Sequence, residues 1–187
     1  MAEIAILKST LAGHSKSVLS VAFHPTMPLL ATCSEDRTAK LWRFEPDGST
    51  VTCVATLEGN TNRVISVAFH PTATILATGG FREAAKLWRF SPDGSASNNM
   101  LATCVKTIEG DMYDGYRWIV AFHPTAPLFA ISSGEISAKL WRFSPDGSTV
   151  TCVATLEMNL HSQDISSFAF HATAPLLATG SYDMTAK

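Results

Sequence analysis

The sequence predicts an all-β protein assembled from repeated four-stranded antiparallel units. One stretch recurs four times: SVAFHPTMPLLATCS begins at Ser20, and related copies begin at Ser66, Ile119 and Ser167. The histidines of the four copies, at positions 24, 70, 123 and 171, are spaced by 46, 53 and 48 residues. A period of this length indicates supersecondary units that stack on one another rather than one unique core.

Each unit carries the pattern of short strands. The pattern alternates or forms short apolar runs, is rich in Val, Ala, Thr, Leu and Phe, and is interrupted by turn residues such as Pro-Asp-Gly. The connecting turns are too short for parallel crossovers, so each unit is an antiparallel meander. The predicted strands are 17–23, 29–34, 38–44 and 50–57; then 63–69, 75–80, 84–90 and 101–108; then 116–122, 128–133, 137–143 and 149–156; and finally 165–170 and 176–181.

These units are interpreted as one domain with repeats at 12–58, 59–109, 110–157 and 158–187. Residues 4–11 match the fourth-strand segments of the units, which predicts an orphan outer strand ahead of the first unit. The last unit stops at Lys187, before the Leu-Trp strand that the other units carry.

Composition excludes several classes of function. With a net charge of −2, the chain has no general positive field for a phosphate backbone, so no nucleic-acid partner is expected. Apolar runs are too short to cross a bilayer and the N-terminus lacks the features of a signal peptide, which predicts no membrane partner and a cytoplasmic protein. The four cysteines show no CxxC spacing and are interpreted as structural thiols.

Five short motifs in the first unit resemble the WD-repeat family of β-propellers: Gly13-His14, Val21-Ala22-Phe23, Leu30-Ala31-Thr32, Ser34-Glu35-Asp36 and Leu41-Trp42. The resemblance covers nearly the whole chain. It implies that each repeat supplies one four-stranded blade of a propeller. It also implies a hydrogen-bonded structural tetrad of His14, Ser34, Asp36 and Trp42, because such a set satisfies the polar groups of a buried histidine.

The other units keep only part of this tetrad. The corresponding positions hold Asn60, Gly80, Arg82 and Trp88 in the second unit; Asp111, Ser133, Glu135 and Trp141 in the third; and Ser181 and Asp183, without the histidine after glycine and without the tryptophan, in the fourth.

Catalysis, metal binding and cofactor binding are not expected. A Ser, His and Asp set can suggest a hydrolase, but no strained nucleophile turn or oxyanion site accompanies it here. The four FH histidines, His24, His70, His123 and His171, lie in equivalent turns of separate blades. That placement is too wide for the ligands of one tetrahedral zinc ion.

Four blades are too few for the seven- or eight-membered rings of the family. An open half-ring would expose apolar blade faces, and only 16% of the residues are charged. The sequence therefore predicts a homodimer in which two chains join head to tail into an eight-bladed ring, with 4–11 docking near the partner's fourth unit. The alternatives are a fragment of a longer propeller and a closed four-bladed form.

The resemblance implies that a protein or peptide partner binds the face formed by the loops between the fourth and next first strands and between the second and third strands. The third unit and its neighbour offer a hot-spot composition there. The candidate partner-binding residues are Tyr113, Tyr116, Arg117, Trp118, Phe81 and Arg82. A competing interpretation is that Trp118 replaces Leu19 and packs inside the strand.

The predicted function is a noncatalytic scaffold that presents this loop face to a protein or peptide. The alternative is a purely structural or engineered repeat propeller with no natural partner, and an enzyme using the first tetrad is a distant third.

Overall fold

The computed structural model describes residues 9–45, 47–91, 100–109, 117–132, 137–144, 148–156 and 161–187. Throughout these ranges the regular structure is β-strand, with no helix. Most of the predicted orphan strand at 4–11 lies outside them, and its described part, 9–11, is not in a strand. Also outside the described residues are Asp111, Tyr113, Tyr116, Ser133 and Glu135.

The strands form three four-stranded sheets and one hairpin, which we call blades 1 to 4 in chain order. Blade 1 contains β1 (Val18–Phe23), β2 (Leu29–Ser34), β3 (Ala39–Phe44) and β4 (Val51–Leu57). Blade 2 contains β5 (Val64–Phe69), β6 (Ile75–Gly80), β7 (Ala85–Phe90) and β8 (Ala102–Ile108). Blade 3 contains β9 (Val120–Phe122), β10 (Leu128–Ser132), β11 (Ala138–Phe143) and β12 (Val150–Leu156), and blade 4 contains β13 (Ile165–Phe170) and β14 (Leu177–Ser181).

Within each blade every strand pairs with the next one in antiparallel fashion, which confirms the predicted four-stranded antiparallel units for blades 1 to 3. The register repeats between blades: Leu30 faces Trp42 in blade 1 and Leu76 faces Trp88 in blade 2. The strand β9 is shorter than the predicted 116–122. Its N-terminal side is diverted because Trp118 N donates a 3.0 Å hydrogen bond to Gly80 O of blade 2.

Each blade has two apolar faces because successive side chains of a strand point to opposite sides. We call the face that carries the tryptophan of the third strand the front face and the other the back face. The back face of blade 1 packs on the front face of blade 2. This shared core contains Leu29, Ala31, Cys33, Leu41 and Leu57 from blade 1 with Val67, Phe69, Leu76, Trp88 and Phe90 from blade 2.

The same packing joins blades 2 and 3. The core contains Ile75, Ala77, Leu87 and Ile108 from the back of blade 2 with Trp118, Val120, Phe129, Ile131 and Phe143 from blade 3. A polar contact accompanies it, since Val120 N donates a 3.1 Å hydrogen bond to Ser66 Oγ. The first strands of successive blades lie side by side, β1 by β5, β5 by β9 and β9 by β13. The blades are therefore stacked in chain order.

The two ends of the stack expose apolar side chains. On the front of blade 1, Val21 is 61% exposed and Phe23 is 68% exposed. At the other end, on the back of blade 4, Leu176 is 63% exposed. Among the described residues, the closed four-bladed alternative is wrong because blade 4 does not cover the front of blade 1.

Candidate functional site

A chain of side-chain hydrogen bonds crosses the front face of blade 1. His14 Nδ1 lies 2.8 Å from Asp36 Oδ2, and His14 Nε2 lies 2.8 Å from Thr32 Oγ1. The indole Nε1 of Trp42 donates a 2.8 Å hydrogen bond to the same hydroxyl. An ionised carboxylate can only accept, so His14 donates from Nδ1 and accepts the Thr32 proton at Nε2. Both ring nitrogens of His14, the Thr32 hydroxyl and the Trp42 indole N–H thereby all have hydrogen-bond partners.

The prediction that Ser34 provides the hydroxyl of the tetrad is wrong. The hydroxyl that contacts His14 and Trp42 belongs to Thr32. Thr32 lies two residues before Ser34 on β2, and residues two apart on a strand are about 6.7 Å apart. Ser34 instead holds the following turn, where Oγ donates to Lys16 O at 3.2 Å and accepts from Asp36 N at 3.0 Å. A threonine at the same place in the second and fourth units, Thr78 and Thr179, was a sequence signal for this role.

The Asp36 carboxylate ties the loop before β1 to the turn after β2. It accepts hydrogen bonds from Thr38 Oγ1 at 2.7 Å and from the backbone N–H groups of Ser15 and Thr38 at 3.0 and 2.9 Å. Burial alone would raise its pKa, but the hydrogen bonds from Thr38, His14 and Ser15 outweigh burial and hold the pKa well below the usual range. The group is therefore a fixed anion that orders the loop.

Blade 4 contains a histidine that the sequence pattern missed. His161 Nδ1 lies 2.8 Å from Asp183 Oδ2, and its Nε2 lies 2.7 Å from Thr179 Oγ1. The fourth unit has no histidine after glycine, as the sequence shows, but His161 fills the histidine's place in the network. His161 follows a leucine instead of the glycine of the motif, but its separation from Asp183 equals that of His14 from Asp36. Hydrogen bonds from Thr185, together with those from Ser162 and His161, lower the pKa of Asp183.

Blade 2 replaces the His-Asp pair by a lysine and a glutamate. The Trp88 indole still donates to Thr78 Oγ1, at 2.9 Å. Glu83 is buried and accepts from the backbone N–H groups of Thr61 and Asn62 at 3.0 and 2.9 Å. Lys86 Nζ donates to Glu83. The predicted aspartate position, Arg82, is exposed instead and has a φ of 53°.

In blade 3 the indole of Trp141 has lost its acceptor. Its Nε1 is buried and has no hydrogen-bond partner among the described residues. Ile131 occupies the position of Thr32 and Thr78 on the second strand, and an isoleucine side chain cannot accept a hydrogen bond.

The loop face carries three of the six candidate partner-binding residues. Phe81 follows β6 and forms an isolated backbone bridge with Arg117, which precedes β9. Arg82 is exposed, and its Cζ lies 5.4 Å from the centroid of the Phe81 ring. Tyr113 and Tyr116 lie outside the described residues.

Trp118 does not belong to this surface. It is 3% exposed and packs in the core between blades 2 and 3. The prediction that it contacts a partner is wrong, and the competing interpretation, in which it packs in the strand, agrees with its burial.

The loop face carries a second set of arginine–aromatic contacts that sequence reasoning missed. Arg63 Cζ lies 4.1 Å from the Phe81 ring centroid, and Arg117 Cζ lies 5.3 Å from the Tyr182 ring centroid. Both distances are within the range of cation–π attraction. These contacts link Arg63 to the turn of its own blade and Arg117 of blade 3 to the turn of blade 4.

The FH histidines act as turn caps. His24 Nδ1 accepts from Thr26 N at 3.2 Å and from Met27 N at 3.0 Å, and the other three FH histidines make the same pair of bonds. Within the described ranges, no three His, Cys, Asp or Glu side chains are grouped so that they could hold a metal ion. No helix in that part of the chain could span a membrane.

Comparison with known proteins agrees with this geometry. The family model for the WD domain, G-beta repeat (WD40), matches residues 6–43, 51–89 and 150–187, which is more than half of the chain. The chain belongs to the WD40 family. WD40 proteins generally act as noncatalytic scaffolds for protein interactions.

Relatives match this WD40 chain over short stretches. It is 45% identical over 47 residues to the flagellar WD repeat-containing protein Pf20 of Chlamydomonas reinhardtii, covering 25% of this chain and 8% of that protein. It is 55% identical over 38 residues to the nuclear distribution protein PAC1 of Cryptococcus neoformans, covering 20% and 9%. The chain thus spans less than a tenth of either relative.

A solved structure shows the same fold. The crystal structure of Saccharomyces cerevisiae Sqt1 superposes with a TM-score of 0.72 at 22% identity, over 92% of this chain and 44% of Sqt1. The likeness establishes a WD-repeat propeller architecture for the stacked blades.

Proposed function

We propose that this chain is a noncatalytic WD40 scaffold that holds a protein or peptide on its loop face. The observation that carries the proposal is the row of arginine and aromatic side chains at the loop ends of blades 2 to 4. Its members are Arg63, Phe81, Arg82, Arg117 and Tyr182. Arginine and aromatic residues dominate the binding energy of protein interfaces, and each stack restricts its side chains before a partner arrives.

The buried networks support a scaffold better than an enzyme. Thr32 is the hydroxyl that a hydrolase would use, but it is 4% exposed and its oxygen already accepts the indole N–H of Trp42. A nucleophile must reach its substrate. We therefore assign the network to structural support of the loop face.

A binding experiment tests the loop face. The double variant Phe81→Ala with Arg117→Ala removes one aromatic ring and one guanidinium from the row, and the control Val105→Ala with Lys106→Ala changes exposed side chains on the outer strand β8. We expect immobilised wild-type and control protein to retain a partner from cell extract that the loop-face variant loses, with melting temperatures within about 3 °C. Equal retention by all three proteins would reject the proposal. No specific capture by any of them would favour a purely structural or engineered propeller.

We also propose that a second copy completes the ring, because the blade junctions use one repeated contact. The ring centroid of His24 in blade 1 lies 5.0 Å from that of Phe69 in blade 2. His70 of blade 2 lies 5.3 Å from Phe122 of blade 3, and His123 lies 5.2 Å from Phe170. The FH histidines of blades 1 to 3 thus each pack on the front-face phenylalanine of the next blade.

At the two ends of the stack, one partner of this histidine–phenylalanine contact is exposed. His171 is exposed on blade 4 and lacks a following blade within the described residues. Phe23 and Phe44 lie edge to face on the front of blade 1, with their centroids 5.7 Å apart, and no histidine covers them. A head-to-tail pair of chains would place each His171 on the Phe23 and Phe44 of the second copy, and a twofold axis would close eight blades.

Light scattering after size exclusion tests the dimer. We expect twice the chain mass of 20.1 kDa for the wild type and the single mass for Phe23→Ser, which places a hydroxyl in the new junction. The matched control Leu101→Ser changes a side chain that is equally exposed on blade 2 and should leave the dimer intact. A mass of 20.1 kDa for the wild type at every concentration would reject ring completion by a second copy.

The cytoplasm is the compartment that this proposal assigns, with no nucleic-acid or membrane partner. The assignment to the cytoplasm is supported by the cysteines, which are all free thiols, as is usual in a reducing compartment: Cys33, Cys53, Cys104 and Cys152.

A further inference from the structure

A groove of about 540 Å³ opens on the loop face where blades 1 and 2 meet. Its walls come from the segment before β1, the β2–β3 turn, the segment before β5 and the end of β6. The lining residues are Lys16, Glu35, Arg37, Thr61, Asn62, Arg63 and Phe81. All of these residues lie in segments that directly precede or follow strands of the two blades.

The groove is positively charged although the chain as a whole is not. Three of its lining side chains are cationic and one is anionic, a local charge of +2 against −2 for the chain. Lys16 and Arg37 are exposed, and neither charged group has a hydrogen bond or ion pair to a described residue. Lys16 and Arg37 therefore line the same groove without an ion-pair partner among the described residues, while Glu35 pairs with Arg63.

The Arg63 side chain contacts Phe81 of blade 2 and Glu35 of blade 1, and these two contacts restrict its conformation. Its guanidinium stacks on Phe81 at 4.1 Å, and Nη1 lies 3.4 Å from Glu35 Oε1. A guanidinium has five N–H donors, so most of them stay available to a ligand. Because the stack sets the plane of the guanidinium, its fork is oriented before binding.

We propose that this groove binds an acidic peptide segment, with one Asp or Glu carboxylate paired to Arg63 and neighbouring carboxylates paired to Lys16 and Arg37. The inference rests on the proposed function, since it names the partner class for the same loop face. Planar carboxylates match the guanidinium fork in a bidentate way. A single-stranded nucleic acid fits less well, because base stacking needs an open aromatic face and a guanidinium already covers Phe81.

Fluorescence anisotropy with a fluorescein-labelled hexaglutamate peptide tests the proposal. The groove variant is Lys16→Gln with Arg37→Gln, and the control Lys106→Gln with Lys139→Gln removes the same charge from β8 and β11. We expect the groove variant to weaken hexaglutamate binding tenfold or more and the control to stay within twofold. Arg63→Lys keeps the charge but removes the fork, and we expect a loss of several-fold. Thermal melting checks that all variants are folded.

Several results would overturn the proposal. These are no saturable binding of hexaglutamate by the wild type, equal weakening in the groove and control variants, tighter binding of hexathymidylate through the same residues, or displacement of the peptide by millimolar inorganic phosphate. The capture experiment separates the two proposals. If the groove variant keeps the protein that the Phe81→Ala with Arg117→Ala variant loses, the acidic-peptide assignment fails and the loop-face function stands.

Discussion

Ile131 stands in blade 3 where a threonine would accept the indole N–H of Trp141, and that N–H has no partner among the described residues. In blade 2 the equivalent Thr78 accepts the Trp88 N–H at 2.9 Å. The third strands of the two blades share the sequence AKLWRF, whereas the second strands, ILATGG and LFAIS, differ at the acceptor position and at several others. An unpaired buried donor is costly, so blade 3 should be stabilised by restoring the acceptor.

We predict that Ile131→Thr is more stable than Ile131→Val by about 1 kcal/mol, the usual net contribution of a hydrogen bond. Both substitutions shorten the side chain by a similar volume, so the difference reports the hydroxyl alone. Urea denaturation gives the two free energies of unfolding. If the hydroxyl stayed unpaired, the valine variant would be the more stable one. The mirror substitution Thr78→Val should cost about 1 to 3 kcal/mol, because it leaves the Trp88 donor without its acceptor.

The Lys86–Glu83 pair of blade 2 predicts unequal effects of the same substitution in two blades. The two side chains are 13% and 7% exposed, so removing the ammonium leaves a buried carboxylate. We expect Lys86→Met to lower the free energy of unfolding by about 3 kcal/mol. Lys40 occupies the same strand position in blade 1, but its ammonium donates to Thr56 Oγ1 at an exposed site. Lys40→Met should therefore change stability by less than about 0.5 kcal/mol, and equal losses in a urea titration would contradict this interpretation.

The FH turns predict a loss of stability in mild acid. Burial lowers the pKa of His24 and of His70, and for His70 the nearby His24 lowers it further. Both Nδ1 atoms accept two backbone N–H groups, so protonation at Nδ1 would break both bonds.

A histidine with a lowered folded-state pKa binds fewer protons in the folded than in the unfolded chain. Its contribution to stability is complete above the unfolded value of about 6.5 and is lost as the pH falls towards the folded pKa. We expect the free energy of unfolding to decrease between pH 7 and pH 5, with a smaller decrease for His24→Asn combined with His70→Asn. Parallel pH profiles of the two proteins would show that these histidines are not responsible.

At the junction of blades 2 and 3, we predict that position 79 tolerates only glycine. A Cβ at this position would lie 1.7 Å from the backbone oxygen of Trp118, and backbone cannot yield as a flexible side chain does. We expect Gly79→Ala to destabilise the protein by about 3 kcal/mol. The control Gly59→Ala has no atom within 4 Å but has a φ of 100°, so only backbone strain of about 1 kcal/mol is expected. Thermal unfolding that ranks the two variants in the opposite order would contradict the close packing.

The blades could be predicted from the sequence because strand patterns are local. Alternating apolar residues with Pro, Asp and Gly turns specify β2 and β6 at the predicted bounds, and the repeat of these patterns specifies stacking. The motif residues His14, Asp36 and Trp42 could be named because the short motifs that contain them resemble those of the WD-repeat family.

Which polar groups meet was decided by the tertiary structure. Thr32 rather than Ser34 bonds to His14 because the strand register decides which side chain lies within hydrogen-bond distance. His161 bonds to Asp183 although no glycine precedes it, so a search for the Gly-His motif does not find it. Trp118 is buried because the next blade covers it, and Arg63 stacks on Phe81 only where two chain segments converge. Spacing along the chain determined the repeated strands, whereas contacts between residues distant in sequence depend on register, turn conformation and the neighbouring blade.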